Sequence, residues 1–442
     1  MKFQNSVAAI AIATIVTITA STCQAQDWLR FRGNDGSGVS SESATTATEF
    51  SADNNVSWKI ELPGAGASAP IVVGDKLVLT CYSGYGQDRK DPGQIEDLKR
   101  HVVCYHKVTG DKIWQKDFEN EVAEDPFTGM GVPEHGYSSS TPVSDGKHVF
   151  VFFGKGGVMA LDLAKGDPIW QKSVGTSSGR MRWGSGSSPI LHKDVLIVNA
   201  SDEDQKLVGL NKSDGEQLWK NKDIENVWST PVMVGEDDDA VLVFSLPYEV
   251  WGMNPKTGKL KWYTTNGVSD MSVSTSPVVN KDVVYAMGGR SGTSVAIKLG
   301  GKSDVTKSHT VWEGKATGRI VSPLVIGDHI YGFDRGIASC VKVATGESVF
   351  EERLPKDSSK ADGGGGRRGP SADYCSPVAA DGKIYQFVKT GTCYVLEAKP
   401  EFKVLAVNSL NDGSEFNSTP AISEGKIYVR SNKYLYCISK EP

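Results

Sequence analysis

The residues of this chain that could do chemistry are scattered, and no complete catalytic pattern joins them. Gly175-Thr176-Ser177-Ser178-Gly179 matches G-x-S-x-G, the pattern of a strained strand-to-helix turn that exposes a serine nucleophile. Its flanks, however, read as a loop between strands. Gly364, Gly366 and Gly369 fit the G-x-G-x-x-G spacing of a phosphate-cradling turn, but they sit in a low-complexity glycine run with Arg367 and Arg368 as a small basic tip. Asp237-Asp238-Asp239 offers oxygens to calcium, or else makes a solvated negative turn. The seven histidines show no metal-ligand spacing. A more suggestive set is Glu134, His135, Arg180, Arg182, Trp183, Trp228, Asp270, Arg319, Asp373 and Tyr374, which fall just ahead of strands that recur along the chain. Two aromatic planes among several cations suit an anionic planar ligand, an acidic protein loop or a carbohydrate. A polar, solvated channel mouth would have the same composition.

What must position these residues is a repeat. It is clearest over residues 139–170, SSTPVSDGKHVFVFFGKGGVMALDLAKGDPIW. Ser-Thr-Pro-Val opens an inner strand, Asp145-Gly146 makes a hairpin turn, HVFVFF and GGVMALDL are apolar strands, and Lys165-Gly166 turns the chain into a strand ending on Trp170. The opening recurs at Pro70, Pro142, Pro189, Pro231, Pro277, Pro323, Pro377 and Pro420. Eight copies, most of them 42 to 54 residues apart, give the period of four-stranded propeller blades. Closing tryptophans fall at Trp114, Trp170, Trp219, Trp262 and Trp312, each suited to wedging between adjacent sheets, and Phe350 takes that place in the sixth copy. The seventh copy has only Val404-Leu405 there, which predicts the weakest seam. The eighth copy ends without an outer strand, while Trp58 and its neighbours form an outer strand with no sheet of their own. The expected fold is therefore all-β: an eight-bladed propeller of four-stranded antiparallel blades, closed by the strand around Trp58.

Strands alternate in direction, so the loops joining blades share one face with the loops between second and third strands. Three of the four clearest insertions, 83–100, 117–137 and 351–373, fall on that face; 300–309 falls on the opposite one. Binding usually resides where loops decorate one end of a rigid scaffold.

Composition narrows the partners. A net charge of −5 and a pI near 5.9 argue against nucleic acid, which needs a concentrated basic surface. Residues 1–25 read as a removed export signal, since Val7 to Ala20 is apolar but too short to span a bilayer. Residues 26–54 follow as an extension, and 55–442 form the propeller. Lipid attachment at Cys23 is the rival reading, with Thr22 a poor fit before it. The expected location is periplasmic or extracellular, with no later transmembrane segment. Export permits disulfides; Cys81 and Cys104, on neighbouring strands, are the pair to test.

The Ser-x-Pro opening, the Ala160-Leu161-Asp162 type of third strand and the Thr-Gly-x-x-x-Trp close at Thr109 to Trp114 resemble pyrroloquinoline-quinone-type repeats. Such repeats occur in quinoprotein alcohol dehydrogenases and in BamB-like outer-membrane assembly lipoproteins. Trp28-Leu29-Arg30-Phe31-Arg32-Gly33, followed by Gly36-Ser37-Gly38, also resembles the start of exported planctomycete-type members. For the dehydrogenases the resemblance implies a quinone with calcium, oxygen ligands, an aspartate base and, in many members, an adjacent-cysteine disulfide. No position here matches those motifs, and no C-x-x-C-H haem attachment exists. No catalytic, cofactor-binding or metal residue is therefore carried over. The reading that results is a non-enzymatic, monomeric scaffold binding a protein partner through the loop-rich face. Pyrroloquinoline quinone with calcium at the channel mouth is the alternative.

Overall fold

The second and third strands of each copy are apolar on both sides, as strands must be when sheets pack against both faces. Val195–Ala200 is buried at every position, whereas the outer strand Gln217–Lys222 buries little beyond Trp219. In the computed structural model, residues 27–129, 131–289, 292–315, 318–356 and 374–440 are described. Residues 1–25, expected to be an export signal, Asp373 and most of the 351–373 loop lie outside them. The strands form eight antiparallel sheets, each built like the third: Ile190–His192, Val195–Ala200, Lys206–Asn211 and Gln217–Lys222 in that order. The protein is an eight-bladed propeller. The last sheet is completed from the other end of the chain, where Val56–Glu61 pairs with Tyr434–Ile438 and Trp58 lies opposite Cys437. One blade is not four-stranded: Ser303–Asp304, from the 300–309 insertion, adds a fifth strand parallel to Leu260–Thr264.

The residues that repeat turn out to join blades. The position before each proline carries a hydroxyl in seven copies, and each hydroxyl accepts the backbone N–H of the matching residue one blade earlier. Ala69 N donates to Thr141 Oγ1, Thr141 N to Ser188 Oγ, Ser188 N to Thr230 Oγ1 and Thr230 N to Ser276 Oγ. Ser322, Ser376 and Thr419 continue the series, all seven bonds measuring 2.9–3.1 Å. The eighth seam meets Ala69, which has no hydroxyl. There Arg430, fully buried, crosses instead to Thr80 O at 2.8 Å and Gly64 O at 3.1 Å.

Farther out, Trp114, Trp170, Trp219 and Trp312 each donate an indole N–H to a carbonyl of the next blade. The glycine of that blade's outer turn lies against the ring. A Cβ on Gly166, Gly215, Gly258 or Gly346 would come within 2.5–2.7 Å of a tryptophan atom, and these residues also have φ of 65–74°. Trp58 does the same to the first blade, donating to Lys107 O at 3.3 Å. Trp262, beside the extra strand, has no such partner.

The extension is built into the fold. Trp28 bridges Val72 of the first blade, Leu29 O accepts Ser144 N of the second, and Arg32 donates to Pro323 O of the sixth. Ser40 N then donates to Ala379 O of the seventh blade, and Tyr385 donates to Thr46 Oγ1 at 2.6 Å. Touching blades on opposite sides of the ring, residues 27–46 cross the channel at the face of the short turns, with Trp28 and Arg32 buried. Phe50 stacks on Phe387 and its N–H bonds Asn408, so the extension also covers the seventh blade, where the closing tryptophan is missing.

The Cys81–Cys104 bridge is not made: both are buried free thiols. Register explains this. Cys81 lies opposite His101 and Cys104 opposite Val78, an offset of three residues. That odd offset points the two side chains to opposite faces of the sheet, out of disulfide reach. Among the described residues no helix is long and apolar enough to cross a membrane.

Candidate functional site

The insertions on the loop face are ordered by a small core of their own. Tyr82, Tyr85, Leu98, Phe127, Val132 and Tyr137 pack together, with the Tyr82 and Tyr137 rings edge to face at 5.4 Å. Tyr137 donates to Asp125 O at 2.7 Å, and Phe127 N donates to Tyr85 at 3.0 Å. This packing fixes the stretch carrying Glu124 and Asp125 above the first and second blades.

Beside it lies a polar pocket formed where loops of three successive blades converge. A cavity of about 40 Å³ is lined by Arg100, Glu124, Asp125, Lys155, Asp202 and Glu203, among others. A wider one of about 230 Å³ adjoins it, sharing Ser177, Ser178, Gly179 and Asp202. Two cations in the pocket already have partners. Arg100 pairs with Glu124, and Lys155 pairs with Asp125 at 3.1 Å while donating to Ser178 Oγ at 2.8 Å. Asp202 and Glu203 sit on the short helix Ser201–Asp204, at 5% and 3% exposure. Ser185 donates to Glu203 Oε1, yet Glu203 Oε2 and Asp202 Oδ2 are buried with no hydrogen-bond partner. Burial, reinforced by nearby Asp125 and only partly offset by a Trp228 hydrogen bond and the charge of Lys155, pushes the Asp202 carboxyl up to about 7. Burial pushes Glu203 up to about 8, with neighbouring Asp202 adding to the rise against the Ser185 bond.

The residues expected at the mouth divide into groups. Trp183 and Trp228 come together, their rings 5.0 Å apart and tilted by 38°. His135 is locked beneath them between Ser139 Oγ and Trp183 O, and its burial lowers its pKa. Glu134 is held by Arg89 and Lys389, each at 2.7 Å. Burial alone would raise its carboxyl, but those two hydrogen bonds outweigh it and hold it below the ordinary range. Tyr374 lies near this cluster, its hydroxyl raised to about 12 by burial and by Glu134. Arg180 lines the wider cavity, and Arg182 is exposed at a positive φ. Asp270 caps Met271 N, and Arg319 is half-buried ahead of the sixth inner strand, both away from the pocket. Asp373 lies outside the described residues.

The pocket acids were missed because the mouth was sought only in loops between blades. Lys155, Asp202 and Glu203 come from loops between second and third strands, and SDED at 201–204 was the visible signal. The G-x-S-x-G loop lines both cavities, though as a loop with no strand-to-helix elbow. Asp237 and Asp238 pair with Lys193 and Lys256 in an exposed turn. The fold's implied quinone with calcium needs clustered oxygen donors. Among the described residues no group of three His, Cys, Asp or Glu is placed to hold a metal.

Solved structures with the same fold include BamB from Moraxella catarrhalis, 14% identical with a TM-score of 0.59 over 86% of this chain and 96% of that one. A europium-containing methanol dehydrogenase is 11% identical with a TM-score of 0.63, over 94% and 98%. At such identities the likeness is one of fold. In sequence, the outer membrane protein assembly factor BamB of Yersinia pestis is 22% identical over 305 residues, 68% of this chain and 63% of that protein. The Nitrosomonas eutropha protein of the same name is 24% identical over 203 residues, 44% and 43%. The chain thus matches less than two thirds of the length of either relative. The sequence model of the family described as outer membrane protein assembly factor BamB matches residues 98–352, more than half of the chain, and the chain belongs to that family.

Proposed function

We propose that the protein is an exported, monomeric scaffold that binds a protein partner through its loop face and does no chemistry of its own. The observation that carries this reading is the exposure of large apolar side chains on three loops of that face. Met271 is 70% exposed, Tyr248 50% and Met181 41%, flanking the Trp183–Trp228 pair. Methionine and aromatic side chains at a mouth suit adaptable contact with a polypeptide. With residues 27–46 across the turn face, the loop face is the open end. The family's description as an assembly factor supports the same reading.

A photo-crosslinking residue at Met271 or Tyr248, in the producing cells, tests it. A single protein adduct from those positions, lost when Met181 and the partner position are made acidic, is expected. No adduct, or the same adducts from Ile169 on the outer rim, overturns the reading. Titration with pyrroloquinoline quinone and calcium, followed by absorbance and dye-linked alcohol oxidation, tests the oxidoreductase alternative; saturable binding with turnover would replace the scaffold reading.

A further inference from the structure

The pocket above the first three blades is unbalanced in charge. Four carboxyl groups, Glu124, Asp125, Asp202 and Glu203, face two cations, and both cations are committed to the first two acids. A carboxyl oxygen that is nine-tenths buried is costly unless a donor pairs with it. Two such oxygens, Asp202 Oδ2 and Glu203 Oε2, belong to residues lining one cavity.

We propose that this pocket binds a primary ammonium group on an aliphatic stem, with Asp202 and Glu203 as its acceptors. The cavity of about 40 Å³ is large enough to admit a group the size of an ammonium. A guanidinium is a broad planar fork that needs more room. The adjoining cavity of about 230 Å³ receives the stem, past the small Ser177, Ser178 and Gly179. An ammonium has three donors and no acceptor, which matches the unpaired acceptor oxygens of Asp202 and Glu203. Divalent metals fit less well, since no three acids or imidazoles are grouped to hold one among the described residues. The rim residues are of mixed sign, with Arg180 beside Asp204 and Glu225, so the acids at the base, not the rim, select the cation. The proposal is independent of the scaffold reading: the ammonium can belong to a free amine or to a lysine side chain.

Binding requires at least one of the two acids to ionise, so it displaces a proton at pH 6 and progressively less by pH 9. Calorimetry of the mature protein with n-butylammonium, and separately with an acetylated, amidated Gly-Lys-Gly tripeptide, reads both effects. Saturable binding at pH 8 is expected, with affinity falling by up to about tenfold per pH unit below the carboxyl pKa values. Proton uptake by the buffer should accompany binding at pH 6. Binding should weaken about tenfold or more in Asp202→Asn and Glu203→Gln, whose melting curves report whether they fold. Binding of the tripeptide alone supports the proposal and identifies the source as a protein side chain. Binding of neither probe at millimolar concentration overturns it. So does equal binding of 1-butanol, or affinity and proton exchange that are independent of pH in the wild type.

Discussion

Glu203→Gln should make the protein more stable at pH 9 and leave it nearly unchanged at pH 5. Glu203 is buried without a cationic partner, and its carboxyl stands at about 8 in the folded protein against an ordinary 4.5. Between those two pH values the folded state holds a proton that the unfolded state has released. Stability therefore falls as pH rises through that window and levels off above the folded value. At ~1.4 kcal/mol per pH unit, the gap corresponds to roughly 4–5 kcal/mol, a ceiling because water entering the pocket relieves the burial. Glutamine keeps the shape and still accepts the Ser185 hydroxyl, but has no charge to bury. At pH 5 the folded wild-type side chain is itself neutral and only about half a pH unit of the window has been crossed, so the two proteins should agree to within about 1 kcal/mol. Urea unfolding at pH 5, 7 and 9 measures the difference directly. Stability curves for wild type and Glu203→Gln that run parallel across the range would refute the reasoning, because a buried, unpaired carboxyl cannot be indifferent to pH.

Removing residues through Glu61 deletes both the channel-crossing segment and the strand completing the eighth blade, and should lower the melting temperature sharply. Removing only residues up to 54 should lower it less, and equal melting of the two truncations would contradict a separate role for Val56–Glu61. Ser188→Ala deletes one bond of the inner hydroxyl series and should cost about 1 kcal/mol in urea unfolding. Arg430→Met leaves Thr80 O and Gly64 O unanswered inside the eighth seam, and should cost about 3 kcal/mol or more. Unfolding without reductant and alkylating should label both Cys81 and Cys104; a mass showing either one protected would contradict the register.

The parts of the fold that could be read in advance are those that repeat. Pro, Gly and Trp at fixed spacing gave the blades and the closing role of Trp58 because identical seams need identical contacts. What the repeat left unreadable is what each contact does. The hydroxyl before each proline looked like part of a strand opening, yet it accepts a bond from the preceding blade. The glycine before each tryptophan looked like a turn residue, yet it also lies beneath the indole of the neighbouring sheet. Both functions exist only between copies, so one copy could not reveal them. Residues 27–54 have no periodicity at all, and Trp28 and Arg32 gave no sign of where they would be buried. The bridge raised for testing between Cys81 and Cys104 is excluded by register, which a one-residue bulge can shift and composition does not encode.

The candidate pocket was hidden for a related reason. Arg100, Asp125, Lys155, Ser178 and Glu203 are spread over a hundred residues, and no local spacing unites them. A propeller brings them together because every blade projects two loops to the same face, one joining it to the next blade and one between its middle strands. A pocket on that face is therefore assembled from the inter-blade loop of one copy and the middle loops of its neighbours. The insertion at 117–137 contributes Glu124 and Asp125, and its aromatic packing holds them against the second blade. The middle loop of the third blade, shortened to a single helical turn, presents Asp202 and Glu203 to the same space. Chemistry in this architecture is thus written as departures from the repeat at equivalent positions of adjacent copies. The opposite face is crossed by residues 27–46, with Trp28 and Arg32 buried against the first and sixth blades. On the scaffold reading, a partner would meet the loop face at Met271, Tyr248 and Trp183, beside this pocket's loops.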